Sequence, residues 1–189
     1  MMDDKNKILI QKAVYQILEA IGEDPNREGL RETPCRVAKM YEEIFSSLNE
    51  PEFKDYSLFN SCNDEDMVLI KDIQFYSICE HHLLPFFGKV HVAYIPDDQK
   101  IVGLSKILRL VNFCSKRPNV QERMTKMIAE QLITHVPNKG VAVAIEAEHL
   151  CIAMRGIKIS NSQTQTFHYK GLFKEEIKWK NDFLNRINH

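Results

Sequence analysis

Apolar residues at Ile10, Val14, Ile17, Leu18 and Ile21 fall on one side of a helix over residues 5–21, and Gly22 and Pro25 end the pattern. Thr33 followed by Pro34 reads as an N-cap and first helical position. Val37, Met40, Tyr41, Ile44, Phe45 and Leu48 then form the buried stripe of a second helix. The polar stretch 49–66, holding Pro51, is a connecting loop. The period then shortens: 67–78 and 87–95 are rich in Val, Ile, Phe and Tyr, are punctuated by Pro85 and Pro96, and read as two strands. Helical spacing returns at Ile107, Leu110, Val111 and Cys114 in 105–115, and at Val120, Met124, Met127, Ile128 and Leu132 in 120–136, with Pro118 between them. A long β-type run over 141–154, a shorter one over 164–173 and a charged helix over 175–187 close the chain.

Strands that follow one another without an intervening helix pair antiparallel. The expected class is therefore α+β, an antiparallel sheet with helices packed on one face and an N-terminal helical pair. The division expected is an N-terminal helical region over 1–66 and a sheet-bearing region over 67–189, in one compact domain. At 189 residues and 44% hydrophobic composition the chain can bury a sizeable core. A formal charge of −1 offers no field for a nucleic acid backbone, so a small molecule or a protein is the expected partner. No run approaches the roughly 18 apolar residues that span a bilayer, and residues 1–9 lack the apolar centre of a signal peptide, so a cytoplasmic location is expected. Five cysteines, at Cys35, Cys62, Cys79, Cys114 and Cys151, are an odd number widely spread, which suits reduced thiols better than disulfides.

Cys79-Glu80-His81-His82 sets a thiol and an imidazole three positions apart in a turn after a strand, close enough to reach one ion. His149 and Cys151 are two apart on the long run; with a regular pleat, Ala147, His149, Cys151, Ala153 and Arg155 share a face. Each half alone is more often a pair of chance neighbours, or a buried Cys beside a core His. Together they offer Cys79, His82 and Cys151 as three ligands for zinc, with His81 and His149 close by. Three protein ligands leave a position open to water, as in catalytic zinc sites, and the spare imidazoles can move protons near neutral pH.

Four stretches carry more than spacing. FYSICEHHLLPFFGKVHVAYIP, VGLSKILRLVNFCSKRPNVQERMT and AEHLCIAMRG resemble the signature blocks of GTP cyclohydrolase I, and REGLRETPCRVAKMYEEIF resembles that family's N-terminal helical block. The likeness runs from about Arg27 to Leu184. It implies the tunnelling fold, in which sheets of neighbouring subunits join into a barrel, and a homodecamer of two stacked pentamers with active sites at subunit boundaries. It implies the reaction of GTP and water to formate and 7,8-dihydroneopterin triphosphate, the entry to pterin and tetrahydrofolate biosynthesis. By position it implies zinc on Cys79, His82 and Cys151, and proton transfer by His81 and His149.

The resemblance also places guanine recognition on Gln121 and Glu122, and a carboxylate can accept from the N1 and N2 donors that adenine lacks. The competing reading of 119–122 is a capping box, Asn119 with Glu122 three residues on. Ser105, Lys106, Arg109 and Arg155 correspond to triphosphate contacts, and Arg36 to one reaching in from an adjacent subunit. Such side chains would be needed, since no Gly-rich phosphate loop is present. The chain departs from the family at Phe167-His168-Tyr169-Lys170, where small residues are expected before Gly171, and too few residues precede Lys5 to form a separate regulatory segment. Two other readings stand beside this one: a tunnelling-fold nitrile reductase with a cysteine nucleophile and a nicotinamide cofactor, and a noncatalytic scaffold tied together by zinc.

Overall fold

The computed structural model describes residues 2–60 and 66–188, so Cys62 lies outside the described residues. The chain forms two compact units, residues 1–49 and 50–189. In the first, α1 (Asp4–Ala20) is capped by the Asp3 carboxylate, which accepts from the Asn6 amide at 2.6 Å. It ends at Gly22, whose φ of +87° only glycine adopts freely. α2 (Thr33–Ile44) differs from the expectation at its start. The chain is already coiled before it, with the Thr33 amide bonded to the Leu30 carbonyl at 2.9 Å. Thr33 is thus inside the helix, and the cap position falls to Glu32, whose side chain makes no cap bond. Only Ala38 of α2 is fully buried, while Met40 and Leu48 of the expected stripe are exposed in the single chain.

The second unit begins before the boundary expected at 66. Phe53 packs on Phe113 and Tyr56, and the Tyr56 hydroxyl donates to the Gln131 carbonyl at 3.2 Å, which ties the connecting stretch to the sheet unit. Its elements are β1 (Leu58–Asn60), β2 (Val68–Cys79), β3 (Pro85–Pro96), β4 (Lys100–Val102), α3 (Leu104–Ser115), β5 (Pro118–Asn119), α4 (Gln121–His135), β6 (Asn138–His149), the short α5 (Leu150–Ala153), β7 (Gln163–Gly171), the short α6 (Leu172–Glu175) and α7 (Ile177–Ile187). β1 and β4 form a small antiparallel pair. The main sheet runs β5-β2-β3-β6-β7, antiparallel except for the brief β2–β5 contact.

Alternation along the central strands sorts the core. Val90, Val92 and Tyr94 of β3 face Ile145, Val143 and Val141 of β6, and this face is covered by Ile107, Leu110 and Val111 of α3 and Met124, Ile128 and Leu132 of α4. The two principal helices thus pack on one face. The intervening residues, Ala93, Ile95, Ala142 and Ala144, face the other way and meet Phe173 and Phe183, so α6 and α7 lie over part of the opposite face. The departure segment sits on the outer strand, with the Phe167 and Tyr169 rings stacked 6.2 Å apart.

Candidate active site

Every element of the site converges on the end of β2. Cys79 is its last residue and is buried at 3% exposure. The Cys79 amide donates to the Leu84 carbonyl and the Leu83 amide to the Cys79 carbonyl, both at 2.9 Å, closing a tight turn. Glu80, His81 and His82 therefore stand exposed at its tip. The Glu80 amide donates to the Asn119 carbonyl at 3.0 Å, and Arg123 grips both Glu80 carboxylate oxygens at 2.8 and 2.7 Å. The turn is thereby anchored to the start of α4, a role for Glu80 and Arg123 that spacing did not reveal.

β6 supplies the other half, with a correction. The strand ends at His149, and Cys151 sits on α5, so the shared strand face expected for Ala147, His149, Cys151, Ala153 and Arg155 does not form. The cause is loss of partners: the β3 ladder runs out at Phe86↔His149 and the β7 ladder at Gln163↔Glu148. Backbone groups beyond that rung must bond locally, and Leu150–Ala153 coils. The turn still brings Cys151 back toward Cys79.

One ligand atom each from Cys79, His149 and Cys151 lie within 4.8 Å of one another. This is a soft donor set suited to zinc, and it passes the test of fit. Both cysteines are free thiols. Burial, with Cys79 beside it, pushes the Cys151 thiol up, a cost that a cation between the two sulfurs would reverse. Burial likewise lowers His149, opposed by the Glu122 charge. His82, the expected third ligand, is outside this group: its Nε2 accepts from the Arg155 guanidinium at 3.1 Å. His81 Nδ1 lies 3.6 Å from the Cys79 sulfur.

These groups open on a cleft of about 330 Å³ lined by Cys79, His81, His82, Glu122, His149 and Cys151, with Gln121 and Thr164 at its wall. Glu122 is exposed in the first turn of α4. The capping box does not form, because the Asn119 amide is turned to the Cys114 carbonyl at 2.8 Å and the cap residue is Val120. Gln121 lies in the wall with 1% exposure.

Of the four expected triphosphate residues in the second unit, Ser105, Lys106, Arg109 and Arg155, Arg155 alone reaches the site, through His82. Ser105, Lys106 and Arg109, on α3, do not line the cleft. Lys106 and Arg109 instead share one carboxylate, Asp55, at 2.5 and 2.6 Å. Asp55 falls in the stretch expected to be a plain loop. Arg36, in the first unit, pairs with Glu32 one helical turn earlier at 2.7 Å.

The GTP cyclohydrolase I family model matches residues 10–188. The chain belongs to the GTP cyclohydrolase I family. Relatives include the GTP cyclohydrolase 1 of Enterococcus faecalis, 60% identical over 98% of this chain and all of that one. That of Bacillus subtilis is 50% identical over 98% of each chain. The bifunctional protein FolKE of Lactococcus lactis subsp. cremoris is 55% identical over 97% of this chain and 52% of its own. The antiparallel sheet with α3 and α4 on one face has the α+β class expected, and the family leaves the nitrile reductase and scaffold readings without support. Among the described residues no helix is long and apolar enough to cross a membrane.

Proposed function

We propose that the cleft at the end of β2 is where this family member converts GTP and water to formate and 7,8-dihydroneopterin triphosphate. The observation that carries the reading is the gathering of Cys79, His149 and Cys151 within 4.8 Å, beside exposed His81, His82 and Glu122 in one cleft. Cys79 and Cys151, with His82 released from Arg155, hold a zinc ion. Bound there, zinc supplies Lewis acidity and a water made acidic enough to attack near neutral pH.

The remaining steps fall to side chains. Glu122 accepts from N1 and N2 of guanine and so orients C8 toward the thiols. Carbon 8 is a poor electrophile until the adjacent ring nitrogen is protonated, and His81 is placed to donate that proton. His149, across the cluster, takes and returns protons as the ring opens and formate leaves. Arg155, freed from His82, turns to the triphosphate.

Ser105, Lys106, Arg109 and Arg36 serve the triphosphate of a neighbouring subunit's site, in keeping with the absence of the first three from this cleft's lining. We place the enzyme in the cytoplasm as a homodecamer of two pentamers, in which neighbours cover the outer edge of β7. Incubation with GTP, oxidation and detection of a fluorescent pterin tests the activity; formation that a chelator abolishes and zinc restores is the expected outcome. Turnover unaffected by removal of all metal would overturn the zinc assignment.

A further inference from the structure

We propose that Gln121 is a positioning residue that holds His149 as its Nε2–H tautomer, and is not a guanine contact. The inference rests on the cleft being the GTP site.

The amide of Gln121 can be oriented from its neighbours. Its nitrogen lies 3.0 Å from the Ile145 carbonyl, 2.8 Å from the Thr164 carbonyl and 3.1 Å from the Thr166 hydroxyl. The reverse orientation would set an oxygen against two carbonyl oxygens, which can only accept. The hydroxyl agrees. Thr125 spends its one hydrogen on the Gln121 backbone carbonyl at 2.8 Å, so in the 2.6 Å contact between Thr125 and Thr166 it is Thr166 that donates. The Thr166 oxygen is left to accept from the Gln121 nitrogen.

Gln121 Oε1 therefore faces His149 Nε2, 2.8 Å away. An amide oxygen has no hydrogen to give, so Nε2 must carry one. In the neutral ring Nδ1 is then bare and holds the only lone pair, in a ring of which one nitrogen lies within 4.8 Å of both thiol sulfurs. Phe86, stacked against the imidazole, fixes the ring plane, while Gln121 fixes its rotation within that plane. With its amide nitrogen facing three acceptors and its oxygen on His149, in a wall position with 1% exposure, Gln121 has no free edge for guanine, so recognition of the base passes to Glu122.

The direct test is nitrogen NMR of histidine-labelled protein, with the His149 signals identified by their loss in His149→Ala. A protonated Nε2 and a bare Nδ1 in the neutral ring are expected, and a protonated Nδ1 would overturn the proposal. This measurement needs no turnover. It stands even if wild-type protein makes no pterin, a result that would instead sink the assignment of the cleft. Gln121→Leu should mix the two tautomers and lower kcat roughly 10- to 100-fold, as loss of an orienting partner does, with KM for GTP and zinc content unchanged. A raised KM with the tautomer intact in Gln121→Leu would mean that Gln121 binds guanine after all.

Discussion

His149 lies flat on Phe86, with ring centroids 4.7 Å apart and planes within 7°, and the two residues face each other on the last rung of the β3–β6 ladder. The stack is local in space and distant in sequence, and it sets the proposed proton carrier on a floor with 0% exposure. Phe86→Leu keeps an apolar floor but removes the flat face. We expect it to cost about 1 kcal/mol for the lost ring pair and to lower turnover by more than that loss of stability accounts for, with zinc retained. Thermal melting and initial rates on one preparation decide; an unchanged rate would show that the stack serves packing alone.

The proposed roles, zinc ligand for His82 and proton carrier for His149, should separate in their variants. His82→Ala is expected to lose zinc and turnover together. His149→Ala should keep zinc and fold while turnover falls roughly 100- to 10,000-fold, the range for a lost general acid or base. The structure makes this a sharp comparison, since His149 and not His82 lies within the thiol cluster. Zinc lost from His149→Ala and kept by His82→Ala would exchange the two assignments.

Cys151→Ser should lose both metal and activity, because a hydroxyl is a poor substitute for a thiolate on zinc. Cys114 provides the control. It is also a free thiol, but it is buried at 0% exposure with its pKa pushed up to about 12 by burial, and it sits on the core-facing side of α3. Cys114→Ser should lower the melting temperature by leaving a hydroxyl in apolar surroundings while zinc stoichiometry stays at that of wild type. Normal zinc in Cys151→Ser would refute the ligand set.

The parts legible in the sequence were those decided by local period. β2, β3, α3 and α4 fall within a residue or two of their expected bounds because alternation and helical spacing are carried by the segment itself. The end of β6 was not legible: residues 150–154 keep a β-type composition, and the strand stops at His149, where its ladders with β3 and β7 run out. The thiol pair survived that error, since Cys151 returns to the cluster by a helical turn instead of a pleat. Gln121 shows a different limit. Its neighbours Ile145, Thr164 and Thr166 are 24 to 45 residues away, so spacing along the chain could not show that its amide is engaged.

The Lys106–Asp55–Arg109 contact leads to the last prediction. Lys106 first, then Arg109, holds the Asp55 carboxyl below the usual carboxylate range. The sign follows: a lowered carboxylate pKa means that the contact is present above the ordinary carboxylate range and is lost as pH falls through the lowered value. At neutral pH Asp55 is thus fully charged and occupies both cations assigned to the triphosphate. The carboxylate is exposed, so it adds little to stability, and its effect should show in competition for anions. Asp55→Asn should bind inorganic tripolyphosphate more tightly than wild type near pH 7, and the advantage should shrink as pH is lowered toward the point where wild-type Asp55 itself takes up a proton. Calorimetric titration at several pH values, with Lys106→Ala as the variant that loses the anion altogether, measures this. Weaker binding by Asp55→Asn at neutral pH would mean that the carboxylate holds the two cations in place for the triphosphate and does not compete with it.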